Sequence, residues 1–279
     1  MGIFDLFKKS TKADRMENYP EMLTAKLLFF EKPVVDITKI REELKKYFDQ
    51  VEMSGDDKVL LFIFPNVKVE LEDTSIPAQC TIFMPNDDNS SAEIPPDALQ
   101  QNWHWEQAGE VAQKCEYEFL ISDLMTTNLD YKHRAELFMN FLVAVAKATN
   151  PQAIYSAPVQ KLIDPNSLIQ NWDSQESAIL FAVINVRLFK ITSSNEGNIL
   201  MDTVGLSYLG LPDFQVLFIP SFENEIAKLL WNYAYYIFDH GDVIETGHTL
   251  LGLDPHSKWK CERQVSLVKP ERVVINVQP

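Results

Sequence analysis

"DTVGLSYLGLPDFQ" (residues 202–215) lies between two strongly apolar runs and decides how the C-terminal part of the chain is interpreted. Gly205 and Gly210 have the spacing of the two glycines in a phosphate-binding P-loop. A P-loop continues with Lys and then Ser or Thr, but Leu211 and Pro212 occupy these positions. Because no cation follows the glycines, the spacing alone does not predict a nucleotide site.

The same stretch is close to a nucleophile elbow, in which a serine stands on a tight turn between glycines. Ser207 follows Gly205 at the required spacing, but Leu209 stands where the second glycine is needed. Pro212-Asp213 suits the central positions of a type I turn, and Gly205 suits a β-bulge. The stretch therefore favours a structural turn over a catalytic or phosphate-binding loop.

The elements around this turn predict an α+β fold. Apolar runs at 199–209 and 214–219 have strand length, and 222–239 has the apolar spacing of a helix. Two more helices are predicted behind the N-cap residues Asp36 and Asp130. We expect two similar α/β sandwich units, with mainly antiparallel sheets and helices packed on one face.

Composition divides the chain at one internal position. Residues 85–102, "PNDDNSSAEIPPDALQQN", contain three prolines among Asp, Asn and Ser, which predicts a linker or surface loop. This boundary gives a first β-α-β-β-β unit at 21–84 and a second, larger α+β unit at 103–279. Residues 1–20 form a leader that is either disordered or amphipathic.

The start of the leader, "MGIFDLFKKSTK" (residues 1–12), has an apolar part followed by lysines. A signal peptide has the opposite order, so secretion is not predicted. The pattern predicts a short amphipathic helix that makes weak contact with a membrane or a partner. The residues concerned are Ile3, Phe4, Leu6 and Phe7 on the apolar face, followed by Lys8, Lys9 and Lys12.

The charge of the chain limits its partners. Forty acidic residues against 25 basic ones give a formal net charge of −15, which disfavours nucleic acid and suits a basic protein partner. The cysteines Cys80, Cys115 and Cys261 have no C-x-x-C spacing, so they predict reduced thiols in a cytoplasmic protein. No apolar run has the length of a transmembrane helix. We expect no cofactor and no metal.

Trp103, His104 and Trp105 form a second candidate site. An exposed W-H-W sequence can be an aromatic binding surface, although tryptophans more often pack in a core. The evenly spaced histidines at 240, 248 and 256 do not predict a metal site, because eight-residue steps across turns do not make ligands converge.

Two glycine-containing segments resemble a bacterial family, domain of unknown function 4261. The first is T-x-G-[LM]-x-x-[LF]-G-L-x-[DE], which begins at Thr203, and the second is G-x-T-[IL]-G, which begins at Gly247. The resemblance extends more weakly over much of residues 23–278. It implies a bacterial cytosolic protein without an established activity. The candidate binding residues in and beside these segments are Asp202, Thr203, Gly205, Gly210, Asp213, Gly247, Thr249 and Gly252.

Two functions follow as hypotheses. The first is a non-catalytic protein-binding or accessory module, similar to toxin-immunity factors, since no catalytic residues are predicted. The alternative is a hydrolase with a pocket near residues 202–215 and 247–252. It would use Asp202, Thr203 or Asp213, although adjacent strand residues point to opposite faces.

Overall fold

The computed structural model describes residues 17–84, 94–174, 178–191 and 199–279. Two compact units are present, Met22–Val183 and Ile184–Pro279, the latter together with the described residues 17–21. We call them the seven-stranded unit and the six-stranded unit. Residues 1–16 of the predicted leader and 85–93 of the predicted linker lie outside the described residues.

The seven-stranded unit contains one antiparallel sheet with the strand order β2-β3-β4-β5-β1-β6-β7. Its strands are β1 (Thr24–Phe29), β2 (Glu52–Gly55), β3 (Val59–Glu70), β4 (Ser75–Phe83), β5 (Tyr117–Leu124), β6 (Ala153–Ser156) and β7 (Lys161–Ile163). Its helices are α1 (Ile37–Leu44), α2 (Pro96–Gln100), α3 (Ala108–Gln113), α4 (Tyr131–Thr149) and α5 (Pro165–Asp173).

Apolar side chains hold helices against both faces of this sheet. On one face, α4 packs on the centre of the sheet, where the rings of Phe62 and Phe141 lie 5.4 Å apart. Both predicted caps are present, since the Asp36 and Asp130 side chains accept hydrogen bonds from the first turns of α1 and α4. On the other face, α2 and α3 pack against the cluster that contains Leu28. The helices of this unit are therefore not confined to one face.

The six-stranded unit contains a sheet with the order β11-β12-β13-β10-β9-β8. Among its described strand pairs, β10 and β13 are parallel and the others are antiparallel. In the described part of this unit, one long helix, α6, packs on the central strands of the sheet. The elements are β8 (Asn185–Lys190), β9 (Ile199–Val204), β10 (Asp213–Phe218), α6 (Glu223–His240), β11 (Thr249–Leu251), β12 (Lys258–Val265) and β13 (Val273–Gln278).

The predicted α+β class and the two mainly antiparallel sheets are confirmed, but the division of the chain differs from the predicted one. β4 and β5 lie on either side of residues 85–102 and pair with each other, so this connection joins neighbouring strands of one sheet. The apolar run "AILFAVINVRLFKI" (residues 178–191) is typical of a central strand that is covered on both faces, but β8 begins only at Asn185 and lies at the end of the described strand order. Its apolar sequence reflects burial rather than a central position.

Candidate functional site

The 202–215 stretch contains half of a cluster of buried charges. Arg187, Asp202, Asp213 and Arg272 are each 6% exposed or less, and we call these four residues the buried ionic network. They come from β8, β9, the start of β10 and the residue just before β13. Buried charges are tolerated when they are paired and hydrogen-bonded, and this cluster contains two cations and two anions.

Asp202 lies at the centre of the network. It is directly opposite Arg187 in the β8–β9 pair, and the two side chains form a bidentate ion pair. Arg187 Nε lies 3.0 Å from Asp202 Oδ1, and Arg187 Nη2 lies 2.5 Å from Asp202 Oδ2. Arg272 Nη2 approaches the same Oδ2 at 2.6 Å. Charge-assisted bonds of this kind are the strong ones in proteins.

Asp213 fills the turn that resembles a phosphate cradle. The backbone N–H groups of Gly205, Leu206 and Ser207 donate to its carboxylate at 3.3, 3.2 and 3.2 Å. The Thr203 hydroxyl donates to it at 2.9 Å. Successive N–H groups of this kind form an anion-binding nest. The turn between the two glycines is therefore an anion site whose anion is a side chain of the protein itself.

Arg272 joins the two carboxylates. Its Nε donates to Asp213 at 3.0 Å, and its Nη2 donates to Asp202 and, at 2.6 Å, to the carbonyl of Thr203. Burial alone would lower the pKa of Arg272, but the carboxylates of Asp213 and Asp202 outweigh burial and raise it. Arg272 therefore stays charged, which keeps the four-residue network neutral overall.

Thr203 is also used within the turn. Its hydroxyl accepts a hydrogen bond from the Phe214 backbone N–H at 2.8 Å while it donates to Asp213. Asp202, Thr203 and Asp213 are each 0% exposed. The three side chains in and beside the first family-like segment that could act as acid, base or nucleophile are therefore buried and hydrogen-bonded within the protein.

The glycines of both segments have structural roles. Gly210 has a φ of 82°, and a Cβ there would lie 3.1 Å from Cγ of Pro20. A Cβ on Gly252 would lie 2.3 Å from Nε1 of Trp259, which leaves no room for a side chain. Gly205 precedes the 3-10 turn Leu206–Leu209, and the backbone N–H groups of Gly205, Leu206 and Ser207 donate to the Asp213 carboxylate.

The remaining candidates of the second segment lie in an exposed hairpin. The Gly247 N–H donates to the carbonyl of Cys261 at 2.9 Å. Thr249 is exposed in β11, opposite Lys260. Gly247 and Thr249 thus pair with β12, whereas the buried ionic network lies on β8, β9, the start of β10 and the residue before β13.

The W-H-W sequence covers a sheet edge. Nε2 of His104 lies 2.9 Å from the carbonyl of Leu162 in the edge strand β7, and Asn102 Oδ1 accepts from the Leu162 N–H at 2.6 Å. Partial burial of the ring and the nearby charge of Lys161 lower the pKa of His104 to about 4. The ring is therefore neutral at pH 7 and carries its proton on Nε2. Together the two side chains bond the outward backbone groups of β7, which protects the edge.

The tryptophans on either side of His104 differ in environment. Trp103 is 51% exposed, whereas Trp105 packs against the cluster that contains Leu28 and Tyr155. Trp103 is therefore the more exposed of the two tryptophans, and the His104 ring is hydrogen-bonded to the sheet edge.

The six-stranded unit has an apolar groove of about 360 Å³. Its walls come from the end of β10, the start of α6 and the β11–β12 turn. The residues that define the apolar groove are Leu217, Ile219, Phe222, Ile226, Leu253 and Trp259. Ile219 is 64% exposed and Phe222 is 51% exposed. Exposed apolar side chains grouped in a concavity are a common feature of interaction surfaces.

Three other properties bear on the sequence predictions: metal clusters, membrane-spanning helices and the state of the cysteines. Among the described residues, no group of three or more His, Cys, Asp or Glu side chains is placed to hold a metal ion. None of the helices in the described part of the chain is long and apolar enough to cross a membrane. Burial raises the pKa of the Cys115 and Cys261 thiols to about 11, so both are protonated at neutral pH.

The six-stranded unit is thus an α+β domain built around a buried ionic network. Its residues 202–278 match the family model described as Domain of unknown function (DUF4261), and the resemblance predicted from the two glycine-containing segments is confirmed over this range. No curated protein and no solved structure matches the chain.

Sequence reasoning missed the two arginines of the network. Arg187 is the one charged residue in the run "AVINVRLF" (residues 182–189), and Arg272 directly precedes the apolar run "VVINV". A lone arginine inside a buried strand requires a buried acid. The sequence could therefore have predicted that each arginine has a buried acidic partner, but the register of the sheet is needed to identify that partner.

Proposed function

We propose that this protein is a non-catalytic protein-binding module that recognises a partner through the apolar groove. The observation that carries this proposal is the exposure of Ile219 and Phe222 in a concavity of about 360 Å³. The groove lies within the family-matched range, whose charged and hydroxyl side chains at 202, 203 and 213 are buried. The groove therefore offers mainly apolar side chains, which favours a protein segment as ligand.

The charges beside the groove favour a basic partner. Glu223 and Glu225 stand in the first turn of α6, and the exposed Asp254 follows Leu253. Lys258 and Lys260 flank Trp259, but alternate residues of a strand point to opposite faces, so these lysines point away from the groove. An apolar segment with neighbouring Lys or Arg fits this surface, and the net charge of −15 supports faster association with it.

The family resemblance suggests a more specific form of this function, an accessory or immunity-type factor that neutralises a basic protein in the bacterial cytoplasm. Three buried free cysteines are compatible with a reducing compartment. This specific form remains a proposal that the identity of the partner would decide.

The hydrolase alternative has no supporting observation at its proposed residues. A nucleophile must reach substrate and lie beside a general base. The Thr203 hydroxyl is 0% exposed and already bonded to Asp213 and the Phe214 N–H. The apolar groove adjoins Gly252 through Leu253, but the side chains of its described lining residues include no acid, base or nucleophile.

A matched pair of variants tests the protein-binding proposal. Ile219→Glu places a charge in the groove, and Leu267→Glu places the same charge at an apolar residue outside it, with 64% and 60% exposure respectively. The full chain would be used for affinity capture from the native host at low and moderate salt, and the captured protein would then be purified and titrated.

We expect the wild type and Leu267→Glu to bind the purified partner equally, and Ile219→Glu to bind at least about tenfold more weakly, which is roughly 1.4 kcal/mol. Equal binding by the two variants would remove the groove as the docking site. Failure to retain any protein at either salt concentration would count against a protein-binding function.

A further inference from the structure

We propose that a cavity of about 370 Å³ in the seven-stranded unit binds a small neutral molecule that has an apolar ring and a carbonyl group. The cavity is formed by α4, by the residues that follow α1 and by the middle of β3, and we call it the α4 cavity. Its described lining residues all belong to the seven-stranded unit, so the proposal does not depend on the apolar groove or on a protein partner.

One wall of the α4 cavity is a face of α4. Four lining residues have the i, i+3, i+4 and i+7 spacing of one helix face, namely His133, Glu136, Leu137 and Asn140. The first two are exposed, whereas the last two are buried. This wall therefore runs from a polar outer rim to a buried inner end at Asn140.

Another wall comes from an irregular part of β3. The pairing of β3 with β4 shifts between Phe64 and Lys68, and the three residues of β3 in between (65–67) have no counterpart in β4. Asn66, Val67 and Lys68 line the cavity. Bulges re-aim side chains and are common next to functional sites. The sheet thus departs from regular pairing where it forms the cavity wall.

Apolar side chains make up a further part of the lining. They are Phe48, Val67, Leu129 and Leu137. The Phe48 ring packs against the buried ring of Phe64, with the two centroids 4.3 Å apart. An apolar lining with a few placed polar groups is typical of small-molecule sites, whose volumes begin at about 300 Å³. The α4 cavity therefore offers a surface suited to a ring.

Asn140 supplies the polar group at the inner end. Trp172 Nε1 donates to Asn140 Oδ1 at 3.2 Å. Because an indole N–H can only donate, this bond identifies the amide oxygen and leaves the Nδ2 amino group for the cavity. The described residues provide Nδ2 with no hydrogen-bond acceptor, and Asn140 is only 7% exposed. An acceptor on a ligand would satisfy this nearly buried donor.

Tyr47 supplies a second neutral donor to the cavity. Its hydroxyl accepts from Lys147 Nζ at 3.2 Å, so its own proton is available to an acceptor in the cavity. Lys147 is itself paired with Asp173 at 2.7 Å. Neutral donors favour a carbonyl over a carboxylate, because a carboxylate would leave water without gaining a cation of its own.

Benzamide tests this ligand class, with benzylamine and benzoate as comparison molecules. Each molecule carries a phenyl ring, but the attached group is a neutral amide, a cationic donor or a carboxylate. Nitrogen-15 NMR of the full chain follows the Trp172 indole N–H and the Asn140 side-chain amide, which mark the inner end of the cavity.

We expect benzamide to shift both signals in a saturable way, with a Kd of about 1–10 mM for a molecule of this size. The two comparison molecules should bind at least about fivefold more weakly. Equal binding of benzamide and benzylamine would overturn the proposal, because the ring alone would then be recognised. Tighter binding of benzoate would overturn the neutral class, and no binding of any of the three would overturn the site.

Variants separate the donor from the space. Asn140→Leu removes the donor and should weaken benzamide binding at least about fivefold, but it also leaves the Trp172 N–H without this partner. Val67→Trp is therefore a second variant, which fills the cavity from the bulge and should abolish the benzamide shifts.

The matched control is Leu71→Trp, which adds the same ring at a 36% exposed apolar position directly after β3 and outside the cavity lining. It should bind benzamide as the wild type does, and so should Ile219→Glu, whose effect on partner binding tests the proposed function alone. Unchanged benzamide binding in Val67→Trp would overturn the assignment of the site to the α4 cavity.

Discussion

Each unit contains a buried aspartate near a strand end that is bonded to arginine and threonine, but the two sites differ in extent. In the seven-stranded unit, Asp123 accepts from Arg134 Nε at 2.7 Å, from Thr126 Oγ1 at 2.5 Å and from the Leu23 N–H at 2.7 Å. It fixes one helix and the start of one strand to β5. In the six-stranded unit, the buried ionic network joins three strands and two turns.

The difference shows why only one of the two sites left a readable mark in the sequence. Asp213 is held by consecutive N–H groups, so its turn requires glycines at fixed spacing. Asp123 is held by side chains and by a distant strand, and no local spacing follows from that geometry. A larger network also leaves more groups unpaired when one member is removed.

Asp213→Asn should give the largest loss of stability. The substitution leaves Arg272 with one buried carboxylate and weakens the bonds to the turn, and breaking a buried ion pair costs about 3–5 kcal/mol. Urea unfolding of the full chain measures this loss. Asp57→Asn, at an exposed position, is the control and should change stability by less than about 0.5 kcal/mol.

Asp123→Asn should cost less, about 3 kcal/mol, because fewer hydrogen bonds converge on this carboxylate. Native-state hydrogen exchange should show faster exchange in β1 and β5, with β9 and β10 unchanged. If Asp123→Asn were as damaging as Asp213→Asn, the number of bonded partners would not explain the difference between the two sites.

Thr203→Val should cost about 1–2 kcal/mol, since the isosteric side chain leaves the Phe214 N–H and one Asp213 oxygen short of a partner. The matched control is Thr81→Val, a buried threonine whose hydroxyl makes a 3.5 Å contact with the Ser122 carbonyl. A hydrolytic nucleophile at Thr203 would instead lose activity while keeping stability.

A pH-dependent effect is expected at the edge of the seven-stranded sheet. Because the pKa of His104 is lowered to about 4 from about 6.5, the unfolded chain binds more protons than the folded chain between these values. Its contribution to stability is therefore lost as the pH falls from about 6.5 towards 4. The urea midpoint should fall more between pH 7 and pH 5 in the wild type than in His104→Gln. An equal fall in the two proteins would contradict a neutral His104 ring that donates from Nε2.

The local features of the fold were predictable from the sequence. Asp36, Asp130 and Asp164 are followed by helices because their carboxylates satisfy the N–H groups of the first turn. The turn at Gly205 to Asp213 was predicted as structural because the P-loop cation and the elbow glycine are missing.

Features that depend on distant pairing were not predictable. The connection at 85–102 has the composition of a linker, but β4 and β5 pair across it because their apolar faces share one core. In the same way, Arg272 reaches Asp202 across 70 residues, and only the order β13-β10-β9-β8 brings them together. The burial of Thr203 could be predicted neither from the spacing of the glycines around it nor from the composition of the segment.

The most direct test of the structural role of the 202–215 turn is amide hydrogen exchange at Gly205, Leu206 and Ser207, followed with and without inorganic phosphate. These N–H groups donate to the buried Asp213 carboxylate, so we expect slow exchange in the wild type, no effect of phosphate, and faster exchange in Asp213→Asn. Fast exchange in the wild type that phosphate slows would contradict this account, because the turn would then be an open anion site.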